Sequence, residues 1–184
     1  MKLVTYSDNG KEQLAFYTGD KLYNTTAVNS QLPTTMKELL DNWDQHIAAM
    51  HKANEGLKNN GESGGGIYYK DATILAPVPH PTSCRDGYAF RQHVAAARRN
   101  RKVDMIAEFD QYPIFYFTNH NAIQGPGPIP CMPDHFKKLD FELEASIVIC
   151  KKSCRNYRSR IFIVVCCKVD FCTSDLIDIR ELSN

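Results

Sequence analysis

Hairpin turns set close together leave room for little except short antiparallel strands, and this chain opens with two of them. Leu3, Thr5 and Ser7 alternate with Val4 and Tyr6, Asp8-Asn9-Gly10 supplies the first turn, and residues 13–17 return. Gly19-Asp20 then turns again into residues 21–25. A helix is predicted next. Pro33 stands just ahead of its start, and Thr35 and Glu38 have capping-box spacing. Met36, Leu39, Leu40, Trp43, Ile47 and Met50 recur at intervals of three and four, an apolar stripe that belongs in a core. His46 and His51 on the same helix are expected to face solvent. The run NNGESGGG at 59–66 reads as a linker or a surface loop. After it, residues 67–69 and 72–75 read as paired strands closed by Pro77 and Pro79.

At 184 residues the chain suits one domain, or a small lobe with part of a larger one. An apolar content of 43% with 23% charged residues excludes wholesale disorder. Lysine and arginine number 22 against 21 acids, so the balance gives no electrostatic footprint for a nucleic acid or an acidic membrane. The N-terminus has no apolar core of signal-peptide length, and the longest apolar run, 161–167, is far short of the roughly 20 residues of a membrane helix. A soluble, cytoplasmic protein is expected. Of seven cysteines, Cys150, Cys154, Cys166, Cys167 and Cys172 fall near the C-terminus. Their number is odd and their spacing lacks paired C-x-x-C, which argues against both a disulfide framework and a zinc site.

Three segments carry chemistry. The first, residues 84–93, places a carboxylate (Asp86), a phenol (Tyr88) and an imidazole (His93) close together ahead of a helix through residues 94–97. Asp86 equally suits a helix N-cap, and His93 a structural histidine. The second, residues 139–149, is a strand on which Glu142 and Glu144 share a face, about 6.5 to 7 Å apart along the backbone. A hard divalent ion would relieve their repulsion; a solvent-facing strand edge would also accommodate them. In the third, an aromatic strand over 112–117 runs into a polar and Gly/Pro-rich loop through 128, a plausible pocket wall. His120 between Asn119 and Asn121 suits a turn, and Arg98, Arg99, Arg101 and Lys102 suit a solvated helix end.

The order and content of these segments resemble the fumarylacetoacetate hydrolase family. The resemblance rests on D-x-Y-x-x-x-x-H at Asp86, Tyr88 and His93, on YPIFYF around Tyr116, on QGPG at 124–127 and on LDFELE at 139–144. It implies that Asp86, Glu142 and Glu144 are metal ligands for Mg²⁺ or Ca²⁺, that His93 is the general base, and that Tyr88 and Tyr116 contact substrate. The implied activity is metal-dependent hydrolysis of a carbon–carbon bond in a β-diketo acid such as fumarylacetoacetate or an acylpyruvate. A decarboxylase or isomerase of a small oxo acid would use the same chemistry. The partners implied are a small oxo-acid substrate and a second copy in a homodimer, with no nucleic acid and no membrane.

The expected fold is α+β, mostly β. A small mixed lobe spans 1–75, the first part of a fumarylacetoacetase-like, strand-rich roll spans 76–152, and a divergent cysteine-rich tail spans 153–184. The family's fourth carboxylate ligand, and its later lysine, threonine and glutamate, have no counterpart after the E-x-E strand. A catalytically silent chain, or at most trace activity, is therefore the competing expectation. The apolar run 161–167 is expected to pair with the edge at 145–149 as a substitute strand.

Overall fold

Both opening hairpins form in the computed structural model, which describes residues 1–59, 65–128, 141–149 and 161–169. Strand β1 (Leu3–Asp8) pairs antiparallel with β2 (Lys11–Thr18), and β2 with β3 (Lys21–Asn24). Each connection is a two-residue loop. Asn9 and Gly10 have φ of 50° and 78°, and Gly19 and Asp20 have 56° and 60°. Positive φ at both central residues matches the loop twist to that of the strands.

A short helix α1 (Thr25–Val28) follows, its N-terminus capped by the Asn24 side chain. The predicted helix is two helices, α2 (Met36–Asp41) and α3 (Trp43–Asn59), divided at Asn42. The capping box forms with a shift. The Thr35 hydroxyl accepts from Glu38 N, but Glu38 reaches back to Thr34 N rather than to Thr35. The stripe is core as expected: Met36, Leu39, Trp43 and Met50 are buried against Leu14, Phe16 and Tyr23 of the sheet. Each such side chain contributes about 1.5–3 kcal/mol on burial. His51 is exposed, whereas His46 is half-buried.

The two strands expected at 67–69 and 72–75 do not pair with each other, and residues 60–64 of the expected linker lie outside the described residues. β4 (Ile67–Tyr68) adds to β3 and β5 (Thr73–Ile74) adds to β1, at opposite edges of a sheet ordered β4-β3-β2-β1-β5. Between them a 3₁₀ turn (Tyr69–Asp71) crosses the sheet face that the helices leave open. Tyr69, Ala72 and Ile74 pack there against Val4, Tyr6, Ala15 and Leu22. Apolar side chains on both faces of β1 and β2 made this crossing favourable over a local hairpin. The crossing is tied down at both ends, by Tyr69 N donating to Asp20 O (2.9 Å) and Leu75 N donating to Thr5 O (2.9 Å). Gly125 approaches the same place so closely that a Cβ on it would stand 2.3 Å from Ile74 O and 2.8 Å from Leu75 C and Cα.

The chain divides into two compact units, Met1–Pro79 with Ile123–Asn184, and His80–Ala122. The second unit contains a ribbon of β6 (Cys84–Gly87) and β7 (Phe115–Thr118) and the helix α4 (Arg91–Asn100). Helix α4 is longer than the four residues expected and buries Val94 completely. It ends with Lys102 at φ 56°, Lys102 N donating to Arg99 O and Val103 N to Arg98 O. This is a Schellman closure, and Arg98 and Arg99 stand in the last turn where the helix dipole favours cations.

The first unit also holds β8 (Phe141–Ile149) and β9 (Ile161–Val169), paired antiparallel over nine residues each. The substitute strand expected from 161–167 is therefore present. Its register sets Ala145 across from Val165, Glu144 across from Cys166 and Glu142 across from Lys168. Cys150, Cys154 and Cys172 lie outside the described residues. No helix among the described residues is long and apolar enough to cross a membrane. The mixed, strand-dominated α+β class is as expected.

Candidate functional site

The β6–β7 ribbon positions the first group of candidate residues. Its register places Cys84 across from Thr118, Arg85 from Phe117, Asp86 from Tyr116 and Gly87 from Phe115. Residues directly opposite in an antiparallel pair share a face, so the ribbon has two chemically distinct sides. On one side the Tyr116 hydroxyl donates to Asp86 Oδ2 at 2.7 Å. On the other, the Arg85 guanidinium lies 4.8 Å from the Phe117 ring and 5.5 Å from the Phe115 ring. The two phenylalanines meet edge to face at 5.6 Å.

Asp86 is thus a strand residue rather than a helix cap. Helix α4 begins five residues later, and its N-cap, Phe90, makes no side-chain capping bond. Tyr88 lies just past β6, and its N–H extends the ladder by donating to Ile114 O at 2.9 Å. Its ring meets that of His93, in the first turn of α4, edge to face at 6.2 Å. It meets Phe109 on another side at 6.4 Å. Arg91, two residues before His93, spans to Asp110 with Nη1 at 2.6 and 2.8 Å from the two carboxylate oxygens. The pair anchors the start of α4 to the 3₁₀ turn Ala107–Asp110. His93 itself is exposed. The structure therefore brings Asp86 to Tyr116 and Tyr88 to His93, each by a direct contact.

Glu142 and Glu144 occupy alternate positions of β8, two residues apart, as the strand reading requires. Their side chains lie outside the described atoms. Among the described residues no three His, Cys, Asp or Glu side chains form a ready cluster. His120 sits in a short 3₁₀ turn (His120–Ala122), whose Asn121 N donates to Asn119 Oδ1, so the turn reading holds for it.

Sequence reasoning did not single out Arg85 or the Arg91–Asp110 pair. The alternation of Arg85 with Asp86, and of Phe115 and Phe117 with Tyr116, is the signal that separates the two faces of the ribbon. A groove of about 390 Å³ also went unread. It belongs to the N-terminal sheet and is lined by Tyr17, Asp20, Tyr68, Tyr69 and Lys70. The Tyr17 hydroxyl donates to Asp20 Oδ1 along its wall.

Residues 82–162 match the family described as fumarylacetoacetate hydrolase, C-terminal. All six candidate residues lie within that span. No curated protein matches the chain. Among solved structures, the fold is similar to that of maleylpyruvate hydrolase from Sphingobium sp. SYK-6. The TM-score is 0.58 at 18% identity, over 100% of this chain and 70% of that one. A second structure of that protein, in complex with manganese(II) and pyruvate, gives a TM-score of 0.57 at 17% identity, over 100% of this chain and 69% of that one. The segment 82–162 thus matches the fumarylacetoacetate hydrolase family, and the chain shares its fold with the maleylpyruvate hydrolase structures.

Proposed function

We propose that the chain is a metal-dependent hydrolase that cleaves a carbon–carbon bond in a small β-diketo acid of the acylpyruvate type. The observation that carries this reading is the pairing of Asp86 with Tyr116 and of Tyr88 with His93, inside the segment that matches the family. Asp86, Glu142 and Glu144 would hold the divalent cation, Mg²⁺, Ca²⁺ or the Mn²⁺ named for the similar structure. When bound, the cation polarises the substrate carbonyl and stabilises enolate charge. His93, exposed on the first turn of α4, takes the proton of the attacking water and returns it to the carbon that leaves. Tyr88 contacts the substrate and holds the imidazole by its ring edge.

The test is pyruvate release from an acylpyruvate by the purified chain with added Mn²⁺ or Mg²⁺. Turnover is expected to fall about 10²- to 10⁴-fold in His93→Ala, with Mn²⁺ affinity unchanged. Unchanged turnover in that variant refutes the role of His93. A second reading, a chain that holds metal but is catalytically silent, draws support from the register of β9. It sets Lys168, a cationic residue, across from the proposed ligand Glu142. Mn²⁺ binding without pyruvate release would select it.

A further inference from the structure

We propose that the groove on the N-terminal sheet is a binding site for a zwitterionic amino acid with an aromatic side chain. Its five lining residues, Tyr17, Asp20, Tyr68, Tyr69 and Lys70, all belong to one compact unit, and the site stands apart from the hydrolase reading. The volume of about 390 Å³ falls within the range of small-molecule sites, about 300–1,000 Å³. The walls are tied to each other. Tyr69 N donates to Asp20 O at 2.9 Å, which fastens the crossing segment to the turn between β2 and β3. Across that join the Tyr17 and Tyr69 rings meet edge to face, their centroids 5.4 Å apart. The Tyr17 hydroxyl donates to Asp20 Oδ1 at 2.9 Å and so holds the carboxylate at the wall. Tyr68 is 51% exposed, and Lys70 Nζ stands 5.7 Å from its ring centroid.

The lining selects the ligand by shape and by charge. Three phenol rings offer edge and face contacts to an aromatic body. Two of the lining residues are charged, and they have opposite sign. Asp20 and Lys70 share the groove without an ion pair to each other or to any described residue. Asp20 opposes a wholly anionic ligand, and Lys70 opposes a wholly cationic one. An α-amino acid carries an ammonium and a carboxylate on one carbon, which answers both. Lys2 and Lys21 are not lining residues and make further interactions, but their Nζ atoms stand 5.9 and 5.0 Å from the Tyr17 and Tyr68 ring centroids. Their charge adds to the attraction for the ligand's carboxylate.

The experiment titrates the isotope-labelled full chain with L-phenylalanine and follows the amide resonances of Asp20 and Tyr69. Saturable shifts at both are expected. L-phenylalaninamide lacks the carboxylate, N-acetyl-L-phenylalanine lacks the ammonium, and L-alanine lacks the ring; each should bind about fivefold more weakly or worse. Asp20→Asn removes the charge but keeps the turn, because asparagine also tolerates the φ of 60° found at that position. That variant should bind L-phenylalanine about fivefold more weakly and the N-acetyl compound as the parent does. Lys70→Gln should weaken L-phenylalanine by a similar factor and leave the amide compound unaffected. Equal affinity for L-alanine and L-phenylalanine, the absence of saturable shifts at Asp20 and Tyr69, or parent-like binding of L-phenylalanine by both variants would each overturn the proposal. Pyruvate release from an acylpyruvate is measured separately, so failure here leaves the hydrolase reading standing.

Discussion

Gly125→Ala should unfasten the crossing that closes the small sheet. The added Cβ would stand 2.3 Å from Ile74 O and 2.8 Å from two backbone atoms of Leu75, where ordinary contact begins at 3.4 Å. Relief needs a displacement of about 1.1 Å at the carbonyl and about 0.6 Å at Leu75, and the obstructing atoms are backbone, which cannot rotate aside. Leu75 N donates to Thr5 O at 2.9 Å, so a shift of that size lengthens or breaks a bond worth about 1 kcal/mol. Overpacking itself costs about 1–3 kcal/mol, and the sum is about 3 kcal/mol. For a chain of this length that lowers Tm by about 6–12 °C. Trp43, the single tryptophan and buried in the helix–sheet core, reports the transition by fluorescence. Gly87→Ala is the control, because nothing lies within 4 Å of its added Cβ. It should remain within about 0.5 kcal/mol of the parent. A Gly125→Ala protein that melts within about 2 °C of the parent would refute the claim that close approach is what requires glycine there.

Two further expectations concern stability. Thr25 is fully buried, and its Oγ1 stands 3.1 Å from Leu14 O and 2.5 Å from Pro33 O. Thr25→Val should cost about 1–3 kcal/mol in urea unfolding, and Thr25→Ser should recover much of it; equal stability of the valine variant would contradict the account. Lys102 holds a left-handed conformation at the end of α4, so Lys102→Gly should stabilise by about 1 kcal/mol. A thermal melt followed by circular dichroism that shows a loss instead would show that the lysine side chain matters more than its backbone.

The parts of the fold legible in the sequence are those fixed by neighbours in the chain. Asn9-Gly10 and Gly19-Asp20 announce their turns because few other residues tolerate positive φ. The apolar stripe from Met36 to Met50 is equally local, and it conceals the break at Asn42. There the amide N–H still donates to Glu38 O while the carbonyl already accepts from Gln45 and His46. The helical phase carries through one irregular residue, so the periodicity does not register it. Long-range choices are another matter. Residues 67–69 and 72–75 have the composition of paired strands. What separated them was the apolar face of β1 and β2, and no local pattern encodes that. Asp86 illustrates the same limit at the site. Its neighbours suit a helix start, and only pairing with Tyr116, some 30 residues on, makes it a strand residue with a phenol on its carboxylate. The motif spacing pointed to Asp86 and Tyr116 separately, and the ladder supplied their relation.

The crossing also sets an order of events in folding. β1, β2 and β3 meet through two-residue loops, pairings of the kind that form in about 1–10 μs. β5 must find β1 across roughly 65 intervening residues. The difference in loop closure entropy, (3/2)RT times the logarithm of the length ratio, is about 3 kcal/mol. The meander therefore stands before its second face is covered, and for that interval Val4, Tyr6, Ala15 and Leu22 are open to water and to other chains. Slow closure by the strap that ends at Leu75, rather than slow formation of the sheet, is the stage at which a nascent copy of this protein is most exposed to misassociation.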